Sequence, residues 1–394
     1  MMEDEMSASP TRGLVHGMGQ ALVETDWPAL TDDEVRAVLG RFERYEETDL
    51  SREALILWQS PRPMSTGALV RFANGTVFLK RHHIAVRTPE RLRVEHEFSR
   101  YLRARGQPLP EVLQCTNGDT VVQEGDFIYE VHERATGVDL YRDVPSWYPF
   151  TSLDHARAAG RSLARFHKAA RNFTLPPSVP GVLTSSAAIV ASTDPLAELG
   201  RLIAARPGLA RAVSRRSLLE DFARYHLPVI EKAAPLLRAF VAQWGHGDWH
   251  ASNLTWSSTR PSAIVAGVFD LGLSNRTFVV HDLAVALERS TVDWLNLAGT
   301  RHVAADLEAV DALLDGYEEV QPLDECELAA LAVVLPVVHL EYALSEVEYF
   351  AEVVRSRANA DLAYEGYFIG HTRWYEGAAG SALLEHLRRR ARRC

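Results

Sequence analysis

Residues 246–253 read His246-Gly247-Asp248-Trp249-His250-Ala251-Ser252-Asn253, and an aspartate follows at Asp270 in Val268-Phe269-Asp270-Leu271-Gly272. The spacing sets a carboxylate, Asp248, five residues ahead of a neutral carboxamide, Asn253. Transfer of a phosphoryl group needs a carboxylate to orient and deprotonate an attacking hydroxyl, and hard oxygen ligands to hold Mg²⁺ on the phosphates. Asp248 suits the first task; Asn253 and Asp270 suit the second.

Three such residues alone are more often a solvated turn than a catalytic loop, so their surroundings decide. Ile264, Val265, Val268 and Phe269 form a β-prone run leading into Asp270. The stretch Thr255-Trp256-Ser257-Ser258-Thr259-Arg260-Pro261-Ser262 reads as a turn between two short strands. Catalytic loop, hairpin and aspartate then stand in the order found in kinases.

With His281-Asp282-Leu283-Ala284 further on, these motifs resemble the aminoglycoside phosphotransferase superfamily, which includes choline and homoserine kinases. Gly247, where eukaryotic protein kinases carry arginine, and His250, two residues after Asp248, favour that family. The resemblance runs from about residue 55 to 350 and is densest over 244–288. It implies an α+β, bilobal protein-kinase-like fold and an ATP·Mg-dependent O-phosphotransferase acting on a hydroxyl of a small molecule. An antibiotic, an amino alcohol, an amino acid and a sugar stay open as acceptors. A protein serine/threonine kinase and a nucleotide-binding pseudokinase are the alternatives. The expected organisation is a tail and support helix over 1–50, a nucleotide-binding lobe over 51–134 and a helical lobe over 135–394.

Composition agrees with an enzyme of this kind. The chain has 394 residues, 47% of them apolar, enough for a large core. A net charge of −10 argues against nucleic-acid partners, which call for a basic surface. Three scattered cysteines, Cys115, Cys326 and Cys394, suit a reducing cytoplasm. The acidic start lacks the apolar core of a signal peptide, and the apolar run around Pro336 is about half a membrane span, so no membrane partner is expected.

Residues 1–26 read as frayed. Thr31 and Glu34 form a capping-box signature, and Val35, Val38, Leu39 and Phe42 recur at helical spacing, predicting a support helix over 31–46. Alternation over Ala54–Leu57, Leu69–Phe72 and Thr76–Lys80, with an Asn74-Gly75 turn, predicts three strands, the third ending at Lys80. Lys80 is where a kinase pairs a lysine with nucleotide phosphates. A helix over 89–106 offers it two carboxylates, Glu95 and Glu97, and the family pattern selects Glu95. Between the first two strands, the amides of Ser65, Thr66 and Gly67 could cradle phosphate, or the segment is a plain hairpin loop.

The strand from Asp126 to Glu133, broken at Gly137, resembles the family's lobe-joining hinge. The resemblance assigns the Glu133 carbonyl and the Ala135 amide to the adenine edge. Beyond it, helices are predicted over 152–171 and 195–242, with a proline-rich link at 172–185 and three or four helices from 303 onward. The 195–242 insertion is where the family covers its acceptor. His167 is expected to be a packed helix residue. His246 reads as scaffold, its ring bonding backbone near Asp270, and His250 as scaffold or substrate contact. Asp282 reads as a cap on exposed helix amides that steadies the loop. Glu341, Ser345, Glu348 and Glu352 share one helix face, read as solvated or as facing a cationic acceptor. The basic ending from Leu387 complements a helix dipole.

Overall fold

The computed structural model describes residues 14–16, 22–42, 55–72, 75–297 and 303–392. The expected tail over 1–13, the end of the support helix at 43–46, Ala54, the turn residue Asn74 and Cys394 lie outside them. The chain divides into two compact units: residues 1–84, 111–134 and 142–145 form the first, and 85–110, 135–141 and 146–394 the second.

In the first unit, β1 (Leu14–His16) and β2 (Leu22–Glu24) pair antiparallel, where fraying was expected. Helix α1 (Asp32–Leu39) follows, with Thr31 Oγ1 accepting from the Glu34 amide at 3.2 Å. Only half of the expected capping box forms. The Glu34 carboxylate turns away to Arg81 at 2.7 Å and to the Tyr129 hydroxyl at 2.6 Å, because Arg81 is buried and needs a counter-charge.

Strands β3 (Ile56–Gln59), β4 (Thr66–Phe72), β5 (Gly75–His83), β6 (Val122–Glu124) and β7 (Phe127–Glu133) make one antiparallel sheet in the order β3-β4-β5-β7-β6. Strand β5 continues three residues past Lys80, correcting the expected end, since β7 pairs with it as far as His83. Val35, Val38, Leu39 and Phe42 of the α1 segment pack into one core with Ala68, Val70, Leu79 and Val131 of the sheet. The period-2 and period-3.6 patterns thus meet on a single apolar face.

The second unit opens with α2 (Pro89–Arg103), capped by Thr88. Its Phe98 ring lies 4.7–5.7 Å from Phe166, Phe173 and Trp244, which fixes the helix to this unit's core. Then come α3 (Leu153–Ala170), α4 (Pro195–Ala205), α5 (Pro207–Val213), α6 (Leu218–Asp221) and α7 (Leu227–Ala239). Two small antiparallel pairs follow, β8 (Gln243–Gly245) with β11 (Asn275–Thr277) and β9 (Leu254–Trp256) with β10 (Val265–Val268). They bracket residues 246–253 and Asp270. The remaining helices are α8 (Val279–Thr291), α9 (Leu307–Glu318), α10 (Glu325–Val334), α11 (Leu340–Glu348), α12 (Arg357–Asp361), α13 (Gly370–Glu376) and α14 (Ala378–Ala391).

Helices α10 and α11 join through a 3₁₀ turn at Leu335–Val337 and continue to Val353, a run of 29 residues. It is longer than the apolar stretch in the sequence suggests, and by length and composition alone it could cross a bilayer. Its most apolar window is 89% buried inside the protein, which accounts for the composition.

Helices α3 and α9 cross at van der Waals contact through two glycines. A Cβ on Gly160 would stand 1.9 Å from the Leu313 carbonyl oxygen, and one on Gly316 would stand 1.9 Å from that of Arg157. Gly160→Ala should therefore push the helices apart and destabilise the protein by about 1–3 kcal/mol. Gly200→Ala, on α4 with nothing within 4 Å of its Cβ position, should stabilise by about 0.5–1 kcal/mol through helix propensity. Thermal and urea unfolding midpoints that move together in the two variants would refute this packing.

Candidate active site

The loop after β8 is held from below by one carboxylate. Asp282, fully buried on α8, accepts the His246 amide through Oδ2 and the Gly247 amide through Oδ1, both at 2.7 Å. His167 Nε2 donates to Oδ2 at 2.9 Å, and the Tyr317 hydroxyl on His167 Nδ1 at 2.8 Å fixes that tautomer. Burial alone would raise the Asp282 pKa. The His167 hydrogen bond, with the loop amides, outweighs it and brings the pKa down to about 2. Asp282 does steady the loop, but by binding loop amides and not by capping its own helix as expected. His167 is a packed, hydrogen-bonded residue of α3, as the sequence suggests.

Gly247 has φ +75°, and a Cβ there would lie 2.2 Å from the Leu273 carbonyl oxygen, so no side chain fits. His246 is wholly buried, its Nε2 donating to the Phe269 carbonyl at 3.1 Å and its Nδ1 accepting the Asp248 amide at 3.2 Å. With both ring nitrogens engaged and burial holding its pKa near 4, it is neutral scaffold, not a proton carrier.

These anchors set out the chemical groups. The Asn253 Nδ2 donates to the Asp248 backbone carbonyl at 2.9 Å and to Asp248 Oδ2 at 3.2 Å, leaving its Oδ1 as an acceptor. His250 Nε2 stands 3.4 Å from Asp248 Oδ1, and its Nδ1 meets the Ser252 hydroxyl at 3.0 Å. Asp270 adopts a left-handed backbone, φ +60° and ψ 69°, rare for a side-chain-bearing residue, directly before a 3₁₀ turn at Leu271–Leu273. A carboxylate and a carboxamide oxygen are the hard donors that a Mg²⁺ ion takes, so the residues present fit the ion the sequence implies.

Arg289 was missed by sequence reasoning. It is 2% exposed, forms an ion pair with Asp248, and its guanidinium sits 4.8 Å over the Trp147 ring and 5.0 Å over Tyr342. A signal existed: Arg289 is seven residues after Asp282, hence on the same face of α8. Glu346 lies near this group, wholly buried, with its pKa pushed up to about 7 by burial.

Other expected residues fall as follows. In the first unit, Thr66 and Gly67 are already strand residues, Gly67 opposite Lys80 across the sheet, so the loop proper is 60–65 and holds only Ser65 of the three. The Thr66 hydroxyl accepts from Arg81 at 3.3 Å. Lys80 is half-buried mid-strand, and Glu133 ends β7 with its amide donating to the Glu111 carbonyl at 2.8 Å. In the second unit, Ala135 lies against Gly267, and Glu95 stands 3.5 Å from Arg87, whose guanidinium presses on Gly272.

The stripe is buried over α11 at Glu341, Ser345 and Glu348, and reaches solvent only past the helix end, at Glu352. Glu341 accepts from Ser186 and from the Ile189 amide at 2.7 Å, Glu348 pairs with buried Arg206 and Glu352 with Arg211. Residues 186–189 and Arg206 thus cover the face that sequence alone left bare.

Replacing Asp282 with asparagine would set an amide N–H₂ against backbone donors. Asp282→Asn should lower stability by about 3 kcal/mol and disorder the 246–253 loop. Thermal unfolding and amide exchange of Gly247 and Asp248 are the measurements; unchanged exchange would remove Asp282 from this role.

The phosphotransferase enzyme family (APH) matches residues 66–323. An uncharacterized protein of Deinococcus radiodurans is 27% identical over 293 residues, 73% of this chain and 75% of its own length. Among solved structures, an amicoumacin kinase in complex with AMP-PNP, Ca²⁺ and Ami has a TM-score of 0.55 at 15% identity, covering 86% of this chain and 92% of that one. A microcompartment-associated aminopropanol kinase has a TM-score of 0.55 at 16% identity, covering 86% and 94%. The fold is the protein-kinase-like one. With its sheet unit, its helical unit and a family match over well more than half its length, the chain belongs to the phosphotransferase enzyme family and is a small-molecule kinase.

Proposed function

We propose that the protein transfers the γ-phosphate of ATP to a hydroxyl of a small molecule, with Asp248 as the group that orients that hydroxyl. The observation that carries this is the environment of Asp248: Asn253 holds one carboxylate oxygen, while His250 and Arg289 face the other. A carboxylate fixed in this way can hold a hydroxyl in line and take its proton late, as a loose transition state requires. Asn253 Oδ1 and Asp270 are the residues that would hold Mg²⁺. The ion, when bound, offsets the negative charge of the phosphates.

Lys80 is proposed as the phosphate-pairing lysine, with Glu95 as its supporting carboxylate. Ser65, Thr66 and Gly67 are proposed to line the phosphates, and the backbone of Glu133 and Ala135 to meet the adenine. Buried Arg289 between Trp147 and Tyr342 gives the acceptor side aromatic walls. The names of two structural relatives, an amicoumacin kinase and an aminopropanol kinase, make amine-bearing alcohols the first acceptors to try. Cytoplasmic location belongs to the same proposal.

Transfer of ³²P from γ-labelled ATP to aminopropanol, an aminoglycoside, a neutral sugar and a protein mixture tests the reading. Labelling of a small alcohol is expected. Labelling of protein alone, or of nothing, would favour a protein kinase or a pseudokinase.

Two variants sharpen it. Asp248→Asn should fold and bind Mg·ATP but lose about 10²–10⁴-fold in kcat. Asp270→Asn should abolish Mg²⁺-dependent nucleotide binding by calorimetry. Near wild-type turnover in the first, or intact binding in the second, means that the wrong aspartate has been chosen.

A further inference from the structure

Behind Arg289, the next residue back along α8 enters a different polar cluster. Glu288 on α8, His339 at the start of α11 and His371 on α13 are each buried, and their ligand atoms all lie within 4.8 Å of one another. His371 Nδ1 stands 2.9 Å from Glu288 Oε1, and His339 Nδ1 stands 3.6 Å from the same oxygen. None of the three has a part in the transfer described above.

The hydrogen-bond pattern leaves two buried atoms unanswered. The His339 Nε2 donates to the Phe368 carbonyl at 3.3 Å, so its Nδ1 carries a bare lone pair aimed at a carboxylate. That Nδ1 and Glu288 Oε2 are both buried and without a hydrogen-bond partner among the described residues. His339 Nδ1 thus faces Glu288 Oε1, the oxygen that His371 Nδ1 also meets, and a cation held by the three atoms would answer it. At 3.6 Å, His339 Nδ1 is too far from Glu288 Oε1 for a hydrogen bond, so a proton on that oxygen does not answer it.

We propose that Glu288, His339 and His371 form a binding site for one divalent transition-metal ion of the zinc class, separate from the nucleotide's metal. Bonds of about 2.0–2.1 Å to nitrogen and oxygen in a tetrahedral site put neighbouring ligand atoms about 3.3 Å apart. The observed separations of 2.9 and 3.6 Å bracket that edge. Two imidazoles and one carboxylate select zinc over Mg²⁺ or Ca²⁺, which prefer all-oxygen sets. The outer contacts are those of a ligating histidine. His339 is oriented by the Phe368 carbonyl, and His371 is stacked 3.6 Å from Trp294, whose Nε1 donates to the Glu288 backbone carbonyl at 2.7 Å.

On binding, the ion replaces the proton between His371 Nδ1 and Glu288 Oε1, and that proton leaves to solvent. The effect is a cross-link of α8, α11 and α13. Since α8 carries both Asp282 and Arg289, the ion would stiffen the support of the catalytic loop.

The test uses the full chain, stripped with EDTA, incubated with ZnCl₂ and desalted. One zinc per chain by mass spectrometry and a thermal midpoint higher by several degrees are expected. Glu288→Gln, His339→Gln and His371→Gln should each lose the zinc and the shift, His339→Gln keeping an amide for the Phe368 carbonyl. A wild-type protein that retains no zinc, or variants that retain it all, would overturn the proposal. Should the variants not fold, an anomalous difference map at the zinc edge from zinc-soaked wild-type crystals decides alone. A peak between the three side chains supports the site, and its absence there refutes it.

Discussion

One buried carboxylate holds the reaction loop in shape. Asp282 meets two consecutive amides, His246 and Gly247, and a histidine ring with two oxygens. A free carboxylate in that interior would cost several kcal/mol, so it stays ionised only because three donors converge on it. The dependence runs both ways. Both amides meet it across the turn that Gly247's positive φ creates. His167 reaches Asp282 from α3, and α3 is brought close by glycine contacts with α9. A helix crossing far from the chemistry therefore sets the height of the loop.

The strain at Asp270 belongs to the same design. A left-handed aspartate costs of order 1–3 kcal/mol, and it persists where neighbours over-determine it. Here His246 holds the preceding carbonyl, that of Phe269, and Gly272 gives its amide to the Asp270 carboxylate at 3.4 Å. Arg87 lies across Gly272 at a distance that no side chain would allow. The backbone of Asp270 is thus fixed by its neighbours.

Much of this was legible in the sequence. Helices begin where Thr31, Thr88 and Ser152 announce them, since a cap is a local signal that tertiary packing seldom overrides. The loop, its following hairpin and Asp270 were readable as a spaced motif. What failed were inferences about side-chain partners. Glu34 completes a capping box in sequence, yet a buried Arg81 forty-seven residues away claims it. The Glu341 to Glu352 stripe looked wet because helical periodicity shows which residues share a face but not what covers that face. Arg206 and Arg211 cover it from α4's end and α5. Asp282 sits in a helix's first turn, the usual place for a cap, and only the three-dimensional path of β8 shows that loop amides reach it first.

Arg289 illustrates why partners are harder to read than positions. Every residue of α8 from Val280 to Thr291 is buried, so burial gives no face to choose. An all-buried helix is normally apolar all round. This one carries Asp282, Glu288 and Arg289, each of which meets polar partners on a different neighbour: the loop amides and His167, the α11 and α13 histidines, and Asp248. Polarity in such a helix has no solvation to offset its cost, so each charged residue there marks a directed contact. Because Asp282 holds the loop's backbone and Arg289 meets its carboxylate from a position two turns along the same face, a shift of α8 by a fraction of a turn would break both at once. The helix therefore couples the loop's position to the orientation of Asp248, and the contacts of α8 with His339 and His371 become part of what that carboxylate depends on.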